Sequence, residues 1–369
     1  MTASPMPCLF PTVSHDLGEQ QPLPTPPGTV AKRIGIASLA ASSPLAGAKR
    51  GAEYFLLPAR SILNRCDSER VSFTWTINPY RGCEFGCCYC YARYTHEYME
   101  LDGAEFERKI FVKLDAGRLA ARDLLSSAVR GEHIAIGTAT DPYQPAEREF
   151  GATRAILEQM VHLEGLSVSI TTKSDQVVRD IDVLRRIAAR STLQVNLTVT
   201  TPRPRLARLL EPLAPRPDLR LAAVRALRRA GLAAGVFVMP VLPGLTDHPE
   251  DLDALARAAR DVDAQWFAAR VLFLMPASRK QFLPFLEAKF PALARQYREW
   301  YGRAADAPES YRREISRSVA ALRRKYGLPA LPAGPERSGS ATQQLELTLR
   351  PASATGPAKT SRLGVSRER

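Results

Sequence analysis

The chain reads as an α/β protein built on a partial barrel of roughly six strand–helix units, with a helical extension behind it and ends without packed structure. Three observations carry this reading. Short β-branched runs alternate with stretches of helical spacing through the middle of the chain. After Met275 the pattern turns helical and aromatic, with Phe282, Phe285, Phe290, Tyr297, Trp300, Tyr301 and Tyr311. Both ends are rich in Pro, Ser, Ala and Gly and show no sustained period.

Taken in order, residues 1–50 are expected to form a disordered or loosely attached arm, because their composition offers little apolar surface to bury. Residues 51–276 hold the barrel. Its strands are expected at Ser72–Asn78, His133–Thr138, Ser167–Thr172, Leu193–Thr200, Gly235–Val241 and Trp266–Leu274. Helices are expected at Gly151–Leu163, Val177–Ala189, Leu219–Ala230 and Pro249–Asp261. In the last of these, Leu252, Leu255, Ala256 and Ala259 define one apolar face. Alternation of this kind argues for a parallel sheet, and the number of units suits a partial barrel better than a closed one. A doubly wound sheet gives the same alternation, so periodicity alone leaves it open. Residues 277–330 are expected to cap the barrel with helices whose aromatic residues pack rather than stack on bases. Residues 331–369 form a flexible tail.

The hydrophobic content of 45% is that of a globular protein, and no run of about 18 apolar residues suggests a membrane span. The N-terminal stretch lacks a basic start followed by an apolar core, so a cytoplasmic location is expected. The formal net charge of +13 makes a polyanion such as nucleic acid a natural partner. Part of that charge falls in the terminal stretch Lys359–Arg369. The basic helix Leu219–Ala230, with Arg220, Arg225, Arg228 and Arg229, reads first as a solvated outer face.

Four of the six cysteines lie between Cys83 and Cys90, a cluster too tight for a disulfide framework and suited to metal or redox chemistry. The segment is Ile77-Asn-Pro-Tyr-Arg-Gly-Cys83-Glu-Phe-Gly-Cys87-Cys88-Tyr-Cys90-Tyr-Ala92, directly after the first barrel strand. Cys83, Cys87 and Cys90 have the spacing C-x3-C-x2-C, which lets three thiolates take three corners of a cubane cluster and leaves the fourth iron open. A zinc site would want a fourth Cys or His, for which His96 is the nearby candidate.

This loop strongly resembles the radical S-adenosylmethionine superfamily. With Gly137-Thr-Ala-Thr-Asp141-Pro-Tyr-Gln-Pro145 it resembles, over residues 55–280, the branch related to spore photoproduct lyase, often labelled DNA-repair-photolyase-like. The resemblance implies a [4Fe-4S] cluster on Cys83, Cys87 and Cys90, reductive cleavage of S-adenosylmethionine to a 5′-deoxyadenosyl radical, and a flavodoxin- or ferredoxin-type one-electron reductant. It places Tyr89 against S-adenosylmethionine, Thr140 and Asp141 at the cofactor's polar groups, Lys173 at its methionine carboxylate and Thr198 near its ribose. Tyr89 and Tyr91 match a pair implicated in radical relay.

One position departs from the pattern: Thr138 stands where spore photoproduct lyase has a hydrogen-donating cysteine. Repair of that lesion is therefore not expected, and Cys66, Cys88 and Tyr91 become donor candidates. The segment Met239–Asp247 falls where the family lines the adenine pocket. In the tail, Gln344-Leu-Glu-Leu-Thr-Leu349 has the form of a sliding-clamp-binding peptide. Three functions remain open at this point: radical chemistry on nucleic acid, the same chemistry on a peptide or small metabolite, and a non-catalytic metal module that binds nucleic acid.

Overall fold

The computed structural model describes residues 33–49, 51–68 and 70–332. The clamp-like segment Gln344–Leu349 and most of both ends lie outside the described residues. Residues 35–49, assigned from composition to the loose arm, instead form helix α1 (Gly35–Ala41) and strand β1 (Leu45–Lys49). β1 turns back through Gly51 and pairs antiparallel with β2 (Ala52–Leu57). Ala40 of α1 buries against Leu57, Met99 and Phe111. From α1 only Ala40 is buried in this cluster, with Ile36 and Leu39 packed partly against it, too short a stripe to give a periodic signal in a sequence.

The chain continues through β3 (Leu63–Arg65), β4 (Trp75–Ile77), β5 (Tyr80–Arg81), the short helix α2 (Tyr94–Glu97), β6 (Lys109–Lys113) and α3 (Ala116–Asp123). It then alternates: β7 (His133–Ile136), α4 (Glu147–Phe150), α5 (Ala152–Met160), β8 (Ser167–Thr172), α6 (Ile181–Ala188), β9 (Thr192–Thr198), α7 (Pro204–Leu210), α8 (Pro217–Arg229), β10 (Ala234–Val241), α9 (Pro249–Asp261) and β11 (Phe267–Val271). Helices α10 (Pro276–Lys289), α11 (Pro291–Tyr301) and α12 (Glu309–Tyr326) follow.

Among the described residues the main sheet has seven strands in the order β11-β10-β9-β8-β7-β4-β3. From β4 to β11 every pairing is parallel, and β3 joins the edge antiparallel. The six parallel strands are the six expected from the sequence. They run in one spatial order and leave β3 and β11 as separate edges, so the barrel is partial. Ile77, Ile134, Val168, Ile170, Val195, Leu197, Val236 and Val238 are all but inaccessible. The helices cover them with stripes such as Ile156, Leu157 and Met160 on α5 and Leu252, Leu255, Ala256 and Ala259 on α9. Burying each large aliphatic side chain contributes roughly 1.5–3 kcal/mol, so this layer supplies much of the stability.

A second sheet, β1-β2-β6-β5, was not foreseen. Its inner face, through Tyr54, Tyr80, Ile110 and Val112, joins the main core. In the C-terminal helices Phe282, Tyr297 and Tyr301 are fully buried and stack or meet edge-on, as packing requires. No helix among the described residues is long and apolar enough to cross a membrane.

Candidate functional site

The C-terminal ends of the parallel strands converge on the cysteine loop, and two glycines make that approach possible. Gly82 has φ +84°, and a Cβ there would lie 2.6 Å from the Lys109 carbonyl oxygen and 2.8 Å from that of Phe106. Gly137, just past β7, has φ +89°, and a Cβ would lie 2.4 Å from the Thr171 carbonyl oxygen. No other residue type fits either place.

The loop is then fastened from several sides. The Gly82 carbonyl accepts from Thr140 Oγ1 at 2.6 Å and from Gln144 Nε2 at 3.1 Å. The Glu84 amide donates to Gln144 Oε1 at 2.9 Å, while its carboxylate accepts from Tyr54 Oη at 3.0 Å and the Ala146 amide at 2.7 Å. The Cys88 amide donates to the Leu210 carbonyl at 3.0 Å, Arg93 Nη2 to the Cys87 carbonyl at 3.2 Å and Ser278 Oγ to the Cys90 carbonyl at 2.6 Å. The loop is thus clamped by the segment after β7, by the end of α7 and by α10.

Cys83, Cys87 and Cys90 share this pocket, and each is close enough for its charge to be felt by another. Burial pushes the Cys83 thiol well up, and Asp141, Cys87 and Cys90 add to the effect. Burial also raises Cys87 to about 12, against the pull of Lys173. Cys90 is raised by burial and opposed by Arg93. Three neighbouring thiols, two buried and one partly buried, repel one another as thiolates and need positive charge between them, which is what the irons of a cluster supply. The donor set fits that group. Among the described residues no three His, Cys, Asp or Glu side chains gather closely enough to hold a single metal ion. Cys88 turns toward the C-terminal helices, where its charge reaches Tyr297.

His96 is a core residue. Its Nε2 lies 3.0 Å from the Lys109 carbonyl, and its ring meets Phe106 and Phe111 edge-on. Burial lowers it to about 4, so it is neutral at ordinary pH.

The structure brings Tyr89, Asp141 and Lys173 together beside the cysteines. Asp141 accepts from Thr172 Oγ1 at 2.6 Å, from the Lys173 amide at 2.7 Å and from the Tyr143 amide at 2.9 Å. Lys173 Nζ sits 5.8 Å from the centre of the Tyr89 ring. Thr140 is turned to the loop backbone, as described above. Thr198 is buried at the end of β9, and its carbonyl accepts from Arg220 Nη1 at 3.1 Å. Tyr91 donates its hydroxyl to the Thr138 carbonyl, and the charge of Cys66 reaches it. Thr138 in turn exchanges hydrogen bonds with Asn78, which also accepts from the Ala139 amide at 2.7 Å.

Sequence reasoning missed the electrostatic centre of the site, Glu211. Its Oε1 accepts from Tyr89 Oη and from Thr200 Oγ1 at 2.6 Å and lies 3.8 Å from Lys173 Nζ, while Oε2 is 2.5 Å from Arg220 Nη2. Burial works against this carboxylate. Arg220, Lys173 and the two hydroxyls outweigh it and hold its pKa down to about 2. Arg220, read from the sequence as part of a solvated row, is 1% exposed and belongs to this network. The signal was an isolated acidic residue closing an apolar run, which gives no hint of its partners. Together these groups form a buried network of two cations, two carboxylates and several hydroxyls beside the three-thiol loop, suited to a ligand carrying both charged and hydroxyl groups.

Comparison with known proteins follows the same lines. Residues 77–256 match the family described as the Radical SAM superfamily. An uncharacterized protein of Mycobacterium bovis is 35% identical over 298 residues, covering 80% of this chain and 86% of that one. An uncharacterized protein of Methanocaldococcus jannaschii is 29% identical over 177 residues, covering 47% and 62%. Among solved structures, spore photoproduct lyase complexed with dinucleoside spore photoproduct shares the fold at TM-score 0.54 and 18% identity, over 74% of this chain and 79% of that one.

Proposed function

From membership of the radical SAM superfamily, to which this chain belongs, we infer an enzyme that uses a [4Fe-4S] cluster and S-adenosylmethionine to abstract hydrogen from a nucleic-acid substrate. The observation that carries the radical part is the three-thiol loop Cys83, Cys87 and Cys90, clamped at the ends of the parallel strands. When bound, the cluster supplies the electron that breaks a sulfonium bond and yields a reactive primary carbon radical. The family draws that electron from an external reductant.

The chain's own residues bind, orient and shield. Thiolates of Cys83, Cys87 and Cys90 hold the cluster. Lys173, its amide fixed by Asp141, presents a point charge for the methionine carboxylate, and Thr198 and Thr200 offer groups to the ribose side. Tyr89, tied to Glu211, packs the cofactor from the loop. Phe282 meets Tyr89 edge-on at 6.5 Å, so the C-terminal helices keep water from that side. Tyr91 is within electrostatic reach of both Cys90 and Cys66, which suits a relay of hydrogen or charge.

The nucleic-acid part rests on the net charge of +13 and on the fold shared with spore photoproduct lyase. Thr138 in place of a thiol argues for a lesion or modified base other than spore photoproduct. Reaching such a base requires a single strand or a flipped nucleotide. The test is anaerobic reconstitution with reductant, followed by assay of 5′-deoxyadenosine with and without single- and double-stranded oligonucleotides. Formation stimulated by the polymer is expected; formation unaffected by any polymer refutes the nucleic-acid substrate. In the same assay, Cys66→Ser with unchanged product yield removes Cys66 as a hydrogen donor.

A further inference from the structure

The four-stranded sheet carries two cations with nothing to neutralise them. Arg81 on β5 stands opposite Phe111 on β6, and Lys113 follows Phe111 by two residues, so strand alternation puts all three on one face. That face is the outer one. Phe111 there packs with Leu57, the register partner of Lys113, and with Met99. Lys113 is 5% exposed, and Arg81 is half-buried beside it. Among the described residues neither side chain has a hydrogen bond or an ion pair; burial and the charge of Arg81 lower Lys113 to about 7, against the pull of Asp123. Asp123 is committed elsewhere, accepting from Ser61 Oγ at 2.7 Å, from the Ile62 amide at 2.8 Å and from Arg122 Nε at 2.7 Å.

When both are protonated, Arg81 and the almost wholly buried Lys113 repel each other and forgo hydration. A ligand of opposite charge removes both penalties. A planar guanidinium fork beside a point-charge ammonium is a donor set for a tetrahedral oxyanion. The place is also suited to a substrate. Tyr94 lies near enough to Arg81, Tyr91 and Cys66, and Tyr91 to Cys90, to feel their charges, so this face borders the cluster loop. Arg81 itself lies two residues before Cys83.

We propose that Arg81 and Lys113 form a phosphate-binding subsite that moors the substrate while its reacting part lies on the Tyr91 side of the cysteine loop. The subsite deepens the nucleic-acid reading and rests on it for the identity of the ligand. The phosphate has two sources, the monoester of a free nucleotide or a diester in a strand.

The test uses full-length, cluster-loaded protein under anaerobic conditions, titrated by calorimetry with thymidine, thymidine 5′-monophosphate and a short single-stranded oligothymidylate lacking terminal phosphate. At least one phosphate-bearing ligand is expected to bind, and Lys113→Met and Arg81→Gln are each expected to weaken it by about tenfold or more. Loss confined to the mononucleotide identifies a monoester site; loss confined to the oligonucleotide identifies a diester site. Thymidine, without phosphate, discriminates neither variant from wild type. Ligand-free Lys113→Met is expected to melt higher than wild type, because a buried amine whose protonation burial and Arg81 penalise has been removed.

The proposal is overturned if neither phosphate ligand binds wild-type protein, if both variants bind as wild type does, or if Lys113→Met melts several degrees lower. Its failure is separable from that of the function. Polymer-stimulated 5′-deoxyadenosine formation with variants that bind normally sinks the subsite alone, whereas variant-sensitive phosphate binding without that stimulation sinks the nucleic-acid reading alone.

Discussion

Arg220→Met isolates the buried network around Glu211. Both side chains are within 1% of full burial and approach to 2.5 Å. Removing one member of such a pair typically costs about 3–5 kcal/mol, because the other charge stays buried without its partner. Here Lys173, at 3.8 Å from Glu211, offsets part of the loss. The low end, about 3 kcal/mol, is therefore expected, or roughly 5 °C in melting temperature for a chain of this size. The double variant Glu211→Gln/Arg220→Met is expected to recover at least about 1 kcal/mol relative to the sum of the singles, since it removes both fully buried charges and leaves only the part-exposed Lys173 without its partner. The pH dependence has a definite sign. Glu211 titrates lower in the folded state, about 2, than its ordinary 4.5, so its contribution is present above the unfolded value and is lost as pH falls toward 2. Arg220→Met removes the main favourable partner and flattens that acid limb. Urea unfolding at pH 7 and pH 3 measures both effects. Stability within about 0.5 kcal/mol of wild type, or strictly additive variants, refutes the argument.

Other expectations follow from the same geometry. Alanine at Cys83, Cys87 or Cys90 should each abolish the broad absorbance near about 400 nm after anaerobic reconstitution, while Cys88→Ala should retain it. Lys173→Gln should weaken S-adenosylmethionine binding by about tenfold or more, measured by equilibrium dialysis, because an amide cannot replace the ammonium charge at that point. His96 titrates at about 4 in the folded protein against an ordinary 6.5, so stability should fall as pH drops through that window. His96→Phe should remove this part of the pH profile, followed by chemical unfolding between pH 4 and pH 7.

Much of this was legible in the sequence because the relevant signals are local. The six parallel strands fell where β-branched runs had been read, and the helix Pro249–Asp261 kept both its limits. The cysteine spacing and the strand ends carrying Asp141 and Lys173 were equally local, and the fold brings them together. What stayed hidden depends on contacts between distant segments. The second sheet is assembled from short strands, one of them Tyr80–Arg81, too brief for any period to register. Glu211 and Arg220 acquire meaning only once the end of α7 meets the start of α8 beneath Tyr89. Arg220 misled because its neighbours Arg225 and Arg228 face outward as expected, binding backbone carbonyls at the surface.

The fastening of the cysteine loop also decides whether it is portable. Gly82, Glu84 and Cys88 take their partners from β2, from the turn after β7 and from the end of α7. A synthetic peptide copying residues 77–92 would keep every thiol and none of these anchors, so it should capture iron and sulfide only as a fraying, solvent-washed assembly. Grafting the motif into another scaffold would demand the whole surrounding arc as luggage.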